Sequence, residues 1–211
     1  MKAYPIFLIL LVSPGLMAQG QDAMKKIEEK EIVGGVYEEI TVEDFEQLKL
    51  VEKNLHFRGD QHGRIYWLAA YPAPIRASKR YLGWLLKDRG NQGATITFPK
   101  APAIWNHCRK ISLWVYGTEL PGVLSILVQD TRGDLHLLHF GRLKFRGWRK
   151  MQVIIPDHVV QTPLTMNRPV PIKVIKLVYA PGPIDRLKSW QLLFIDDMTA
   201  STRRKLLLPK D

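Results

Sequence analysis

From residue 36 onward, apolar and polar positions alternate with a period of two along most of the chain, and no segment sustains the 3.6-residue period of an amphipathic helix. Such alternation marks strands with one face against a core, because successive strand side chains point to opposite sides. It predicts a first strand within residues 36–46, rich in β-branched and aromatic side chains. Further strands are predicted at 65–71, 80–86, 94–98, 110–116, 123–129, 135–140, 148–155, 172–179 and 189–198. Pro72, Pro74, Pro99, Pro102, Pro121, Pro156, Pro163, Pro169, Pro171, Pro181 and Pro183 fall between these runs, where a missing amide hydrogen does least harm to a ladder. About ten short strands with turn signals at this spacing predict an all-β fold, an antiparallel two-sheet β-sandwich of the jelly-roll kind.

The stretch 110–161 reads as a meander of successive strands. Ile111, Leu113 and Val115 share one face, matched by Leu124, Ile126 and Val128 and then by Met151, Val153 and Ile155, which together predict one apolar core wall. Trp114, Tyr116 and Trp148 fall opposite, with Ser112, Lys150 and Gln152. Flat rings on a sheet face suit contact with a protein partner or stacking on a sugar. Loops from elsewhere in the chain could equally cover them, and the sequence leaves both open. Asp130-Thr131-Arg132-Gly133 predicts a hairpin, with Asp capping the turn and Gly free to take positive φ. His136 and His139 lie three apart in a strand, hence on opposite faces, which argues against shared metal ligation.

Composition adds a basic surface and an export signal. The 211 residues, 46% of them hydrophobic, suit one domain with a short extension. There are 31 Lys and Arg against 20 Asp and Glu, a net charge of +11. Excess charge of this size speeds encounter with an acidic partner. The bases are scattered rather than gathered with aromatics on one face, which argues against nucleic acid. Lys2, the apolar run 6–12 and the small residues Ala18 and Gly20 have the three regions of a secretory signal, with cleavage expected after Ala18 or Gly20. That run is too short to span a membrane. The one cysteine, Cys108, makes no internal disulfide. Beside His107, Arg109 and Lys110 its thiol could be activated, but a buried small residue entering a strand is the favoured reading.

Catalytic signatures are thin. The patterns G-x-S-x-G, H-E-x-x-H and the phosphate loop are absent. Glu43, Asp44 and Glu46 near the first strand, with Asp196 and Asp197 near the last, are the acidic clusters a sandwich could bring together. A carboxylate pair would suit glycoside hydrolysis. Hard oxygen ligands from Glu43, Asp44, Glu46 and Asp197 would suit a structural calcium ion if the first and last strands are neighbours. Solvated or hydrogen-bonded acids are the simpler expectation.

Several segments carry a resemblance to a known family: I-S-L-W-V-Y-G at 111–117, L-V-Q-D-T-R-G at 127–133, and F-G-R-L-K-F-R-G-W-R-K-M-Q-V-I-I-P at 140–156. V-E-D-F-E at 42–46, the strand 67–73, Gln161 and F-I-D-D at 194–197 add to it in order. The chain resembles the spirochaete flagellar filament outer layer, or sheath, protein family, FlaA, from about residue 36 to 200. The resemblance implies a non-enzymatic structural protein of the periplasmic flagellum that coats a flagellin core and helps set its stiffness and curvature. It implies flagellin subunits and other sheath proteins as partners. It also implies a jelly roll similar to carbohydrate-binding modules, in which acids of the first and last strands often hold calcium. The expected organisation is a signal peptide at 1–20, a charged arm at 21–35, the sheath domain at 36–200 and a basic tail at 201–211. The alternative is a periplasmic carbohydrate-binding module that uses the face of Trp114, Tyr116 and Trp148.

Overall fold

A computed structural model of the chain describes residues 37–57, 60–67, 73–75, 78–87, 93–119, 121–162, 170–181 and 191–203. The expected signal peptide and charged arm, and residues 204–211 of the basic tail, lie outside the described residues. Among the described residues no helix is long and apolar enough to cross a membrane.

The strands are β1 (Glu38–Glu43), β2 (Leu55–Phe57), β3 (Asp60–Trp67), β4 (Arg80–Lys87), β5 (Ala94–Thr97), β6 (Ala103–Ile104), β7 (His107–Thr118), β8 (Val123–Gln129), β9 (Leu135–Arg142), β10 (Arg146–Ile154), β11 (Ile172–Ala180) and β12 (Gln191–Arg203). A 3-10 turn, Glu52–Asn54, precedes β2. The first sheet runs β10-β7-β12-β4-β3, with β1 also paired to β12; the second runs β2-β5-β11-β8-β9, with β6 paired to β11. The strand pairings among the described residues are all antiparallel, so the two-sheet sandwich expected from the alternation is present. The two shortest strands, β2 and β6, carry no alternation long enough to have been expected.

The expected meander needs one correction. β7 does not pair with β8. It pairs with β10 along nine residues, from Arg146↔Thr118 to Ile154↔Lys110, while β8 pairs with β9 in the other sheet. The chain therefore crosses to the second sheet after β7, makes a hairpin there, and returns at β10. The nine apolar positions of 110–161 are all buried, but they form two facing walls. Ile111, Leu113, Val115, Met151 and Val153 come from the first sheet, Leu124, Ile126 and Val128 from the second, and the ninth, Ile155, follows β10 with its amide donating to the Arg109 carbonyl (2.9 Å). Alternation states which side chains point inward and is silent on which sheet holds them.

Phe45, Trp84, Ile96, Ile104, Leu177, Tyr179, Ile195 and Met198 complete the core with them. Of the register shifts in the two sheets, two bear on the core here. β12 slips against β7 between Asp196 and Met198, and β11 slips against β8 between Val174 and Lys176. Each inserts a residue that resets which side chains face inward. Strict alternation would put Asp196 and Met198 on one face; with Asp197 as the extra residue, at φ 43°, Met198 enters the core and Asp196 does not.

Cys108 opens this core at the start of β7. The Gln161 side chain acts as a substitute strand for it, its Oε1 accepting from the Cys108 amide (2.7 Å) and its Nε2 donating to the Cys108 carbonyl (2.8 Å). Burial pushes the thiol pKa up to about 12, so the thiol is a packed small residue that stays protonated at neutral pH. At the other face of this end, Tyr37 lies between the guanidiniums of Arg109 and Arg203, at 5.6 and 5.8 Å, fastening the entry to β1 against β7 and β12.

Two glycines test the crossovers. Gly122 has φ +111°, and a Cβ there would meet the Ala180 carbonyl oxygen and come within 2.9 Å of Tyr179 Cε2. Gly147 has φ +89° but open space around it. Gly147→Ala is expected to cost about 1–2 kcal/mol from backbone strain alone, and Gly122→Ala more, because backbone must also move. Urea unfolding of the two variants checks this, and equal losses would contradict it.

Candidate functional site

The first sheet has an outer face, away from the core, on which the sequence placed Trp114, Tyr116 and Trp148. The structure puts all three there. Trp148 on β10 is directly opposite Tyr116 on β7, and Lys150 is opposite Trp114. Tyr116 and Trp148 are 5.6 Å apart edge to face. Two further rings join them from strands the sequence gives no reason to connect. Phe194 on β12 is 5.5 Å from Tyr116, and Tyr81 on β4 is 4.6 Å from Phe194 and 6.0 Å from Trp148. The rings meet tilted or edge-on, the arrangement aromatic quadrupoles favour.

This quartet is partly used up by its own packing. Tyr81 and Phe194 are buried, and Tyr116 and Trp148 are half-buried. Trp148 Nε1 is shielded from solvent and has no hydrogen-bond partner among the described residues. Trp114 is half-buried beside the quartet, opposite Asp196. Among the described residues the one aromatic that is strongly exposed is instead Trp105, 55% exposed, in the connection between β6 and β7. An isolated Trp in a proline-flanked loop shows no alternation, which is why its exposure could not be read from sequence.

The acidic residues gather where β1 ends. β1 is a direct neighbour of β12, with Glu43 opposite Met198, which meets the condition set for joining the first- and last-strand acids. One oxygen of each of the three acids at 43–46 is engaged with the backbone. Glu43 accepts from the Phe45 amide (2.9 Å), Asp44 from the Glu46 amide (3.0 Å), and Glu46 from the amides of Lys79 and Arg80. These bonds hold the bend in which Phe45, at φ 59°, enters the core. Among the described residues no three of His, Cys, Asp or Glu are grouped so as to hold a metal ion.

Asp196 is the most unusual of the acids. It lies on the outer face yet is 0% exposed, with Oδ2 accepting from the Ser78 hydroxyl (2.8 Å) and Oδ1 from the Asp197 amide (2.9 Å). Burial, helped by the charges of Asp197 and Glu46, pushes its pKa up to about 7 against the pull of those hydrogen bonds. Glu43 and Asp197 are also raised, chiefly by burial. Glu39 is lowered by the Lys150 ammonium (2.6 Å) and then by the Thr199 hydroxyl.

The histidines are separated as expected. His139 Nδ1 meets the Ser125 hydroxyl at 2.8 Å on the outer side of the second sheet. His136 Nε2 is 3.1 Å from Asp130 Oδ2, whose other oxygen accepts from the amides of Arg132 and Asp134 and closes the expected β8–β9 hairpin. Burial tends to raise the Asp130 pKa, but His136 and those amides outweigh it and hold the carboxyl below its usual value.

This fold class, a jelly-roll sandwich with one aromatic outer face, sets the frame for comparison with known proteins. Residues 104–170 match the family model described as flagellar filament outer layer protein FlaA, a stretch that takes in β7 to β10. No curated protein matches the chain. Among solved structures the chain is similar to a carbohydrate-binding module of the β-sandwich superfamily, described for its promiscuous specificity. That likeness has 11% identity and TM-score 0.48, covering 75% of this chain and 60% of that one. A family 11 carbohydrate-binding module from Clostridium thermocellum, in complex with a mixed-linked tetrasaccharide, is similar at 11% identity and TM-score 0.46, covering 82% and 99%. A xylan-binding domain from Paenibacillus barcinonensis is similar at 17% identity and TM-score 0.40, covering 75% and 97%.

Asp196 generates a prediction with a definite sign. A carboxyl whose folded pKa is raised favours the folded state below its unfolded pKa near 4, and that stability is lost as pH climbs through about 7. Asp196→Asn keeps the shape without the charge. Wild-type stability should fall relative to this variant by up to roughly 1.4 kcal/mol per pH unit between pH 4 and 7, measured by urea unfolding at each pH. Parallel profiles would contradict the assignment.

Proposed function

We propose that this chain is a structural subunit of the outer layer of a periplasmic flagellar filament, exported by its signal peptide, coating a flagellin core and tuning its stiffness and curvature. The observation that carries this is the family match over residues 104–170, the segment that builds both core walls and crosses between the sheets. The architecture is consistent with a load-bearing role. A sandwich whose strands pair along long ladders deforms little, because interiors at close-packed density resist compression. The acids at the end of β1 serve the same rigidity by fixing a bend. Partners are flagellin subunits and other sheath proteins.

A second reading, a periplasmic carbohydrate-binding module, is favoured by one observation: Tyr116 and Trp148 keep part of their rings exposed side by side on the outer face. Titrating the protein with a glycan panel while following tryptophan fluorescence separates the two, since only that reading predicts saturable quenching or blue shift.

The leading reading is tested by mass spectrometry of purified periplasmic flagella from the organism that makes the chain. Its peptides should be present, with a mature N-terminus just after Ala18 or Gly20. Filaments free of this polypeptide would overturn the assignment.

A further inference from the structure

The turn that carries the chain from β9 back to β10 exposes a cluster of cations. Arg142 ends β9, Lys144 sits in the connection, Arg146 begins β10 and Arg149 follows in that strand. All four are exposed; Arg142, Lys144 and Arg146 alternate with Leu143 and Phe145, which are buried in the core, while Arg149, opposite Val115, leaves β10 on the other side from Arg146 and reaches the turn by lying over Phe145. Among the described residues none of the four is in an ion pair; the ion pair there is Lys150 with Glu39, and the His136 imidazole meets Asp130. The acid bound to this turn through its backbone, Glu119, makes no ion pair with them.

The cluster stands on fixed backbone. The Leu143 amide donates to the Gly122 carbonyl (3.1 Å), the Phe145 amide to the Leu143 carbonyl (2.7 Å), and the Glu119 amide to the Phe145 carbonyl (2.8 Å). The Arg149 guanidinium lies over the Phe145 ring, 4.4 Å from its centre, which restrains a side chain that would otherwise be free. Cations held in place before binding lose less conformational freedom on meeting a partner. The cluster also lies at open edges, since β9 borders the second sheet and β10 the first.

From this geometry we infer that the Arg142-Lys144-Arg146-Arg149 ridge is the docking surface for an acidic protein face rich in Asp and Glu. The inference rests in part on the outer-layer reading, which makes the opposing surface a protein. It gives that partner a chemistry and assigns the patch that meets it. Three of the four cations are arginines, whose planar forks take carboxylates two bonds at a time and hold them in a defined orientation. The net charge of +11 speeds encounter generally, and the ridge is where it becomes a specific contact.

The test compares two variants of the full chain that lose the same charge. R142Q/K144Q/R146Q removes the ridge and leaves Arg149 on its ring. K49Q/K100Q/K173Q removes three exposed lysines elsewhere. Each is titrated against poly-L-glutamate and cosedimented with flagellar core filaments stripped of their outer layer, at low and physiological salt. The ridge variant should bind both about tenfold more weakly than wild type at low salt, with a shallower salt dependence. The control should stay within about twofold. Equal losses in the two variants would reduce the effect to net charge and overturn the ridge. Wild type that binds filaments with no ridge dependence overturns it while leaving the outer-layer reading standing. Ridge-dependent binding to poly-L-glutamate without filament binding keeps the ridge and removes that reading. Ridge-dependent binding that is tighter to phosphatidylglycerol vesicles or RNA than to poly-L-glutamate overturns the choice of a protein partner.

Discussion

Everything in the first sheet depends on one strand meeting three neighbours at once. β12 pairs with β7 along most of its length, with β4 through its first half and with β1 through its second. A regular strand could not place Ile195, Met198 and Ala200 all inward against those partners. The bulge at Asp197 makes it possible, with positive φ at a non-glycine residue and with Asp196 left on the outer face. The burial of Asp196 follows from the same bulge, as does its elevated pKa, because Ser78 and the bend at Glu46 close over it. The acids that resemble a metal or catalytic cluster in sequence are, in the described structure, the fastening of this junction.

The same constraint arranges the surface. With β12 in the middle of the sheet, Phe194 faces outward between Tyr116 on one side and the Tyr81 strand on the other, and Trp148 closes over them from the edge. The aromatic face is therefore partly a second, smaller core. Among the described residues, exposed cations outside any ion pair lie elsewhere, on the basic turn between the two edge strands, where backbone is fixed. One outer face of the sandwich is packed against itself, and among the described residues β9 and β10 lie at the sheet edges.

Much of the fold was legible in the sequence because burial in a sheet leaves a period of two. The residues of 110–161 that alternate inward are buried without exception, and Asp130 with Gly133 makes the hairpin their chemistry demands. What alternation cannot carry is pairing. Nothing local to β7 and β8 says that they lie in different sheets, so one expected wall became two. Bulges at Asp197 and near Ile175 break the period inside strands that otherwise display it. Tyr81 and Phe194 could not be assigned to the site because their place beside Trp148 is made by pairing across long stretches of chain. The acids at 43–46 were found as a cluster, but their backbone bonds depend on a bend that only tertiary packing of Phe45 creates.

The central claim, that this sandwich is laid onto a flagellar filament through a preformed edge, is tested most directly by imaging assembled filaments at side-chain resolution by electron cryo-microscopy. The account predicts the sandwich on the outside of the core, with the β9–β10 turn against acidic side chains of its neighbour. Filaments in which that turn faces solvent, or whose surface has no density for this fold, would contradict it.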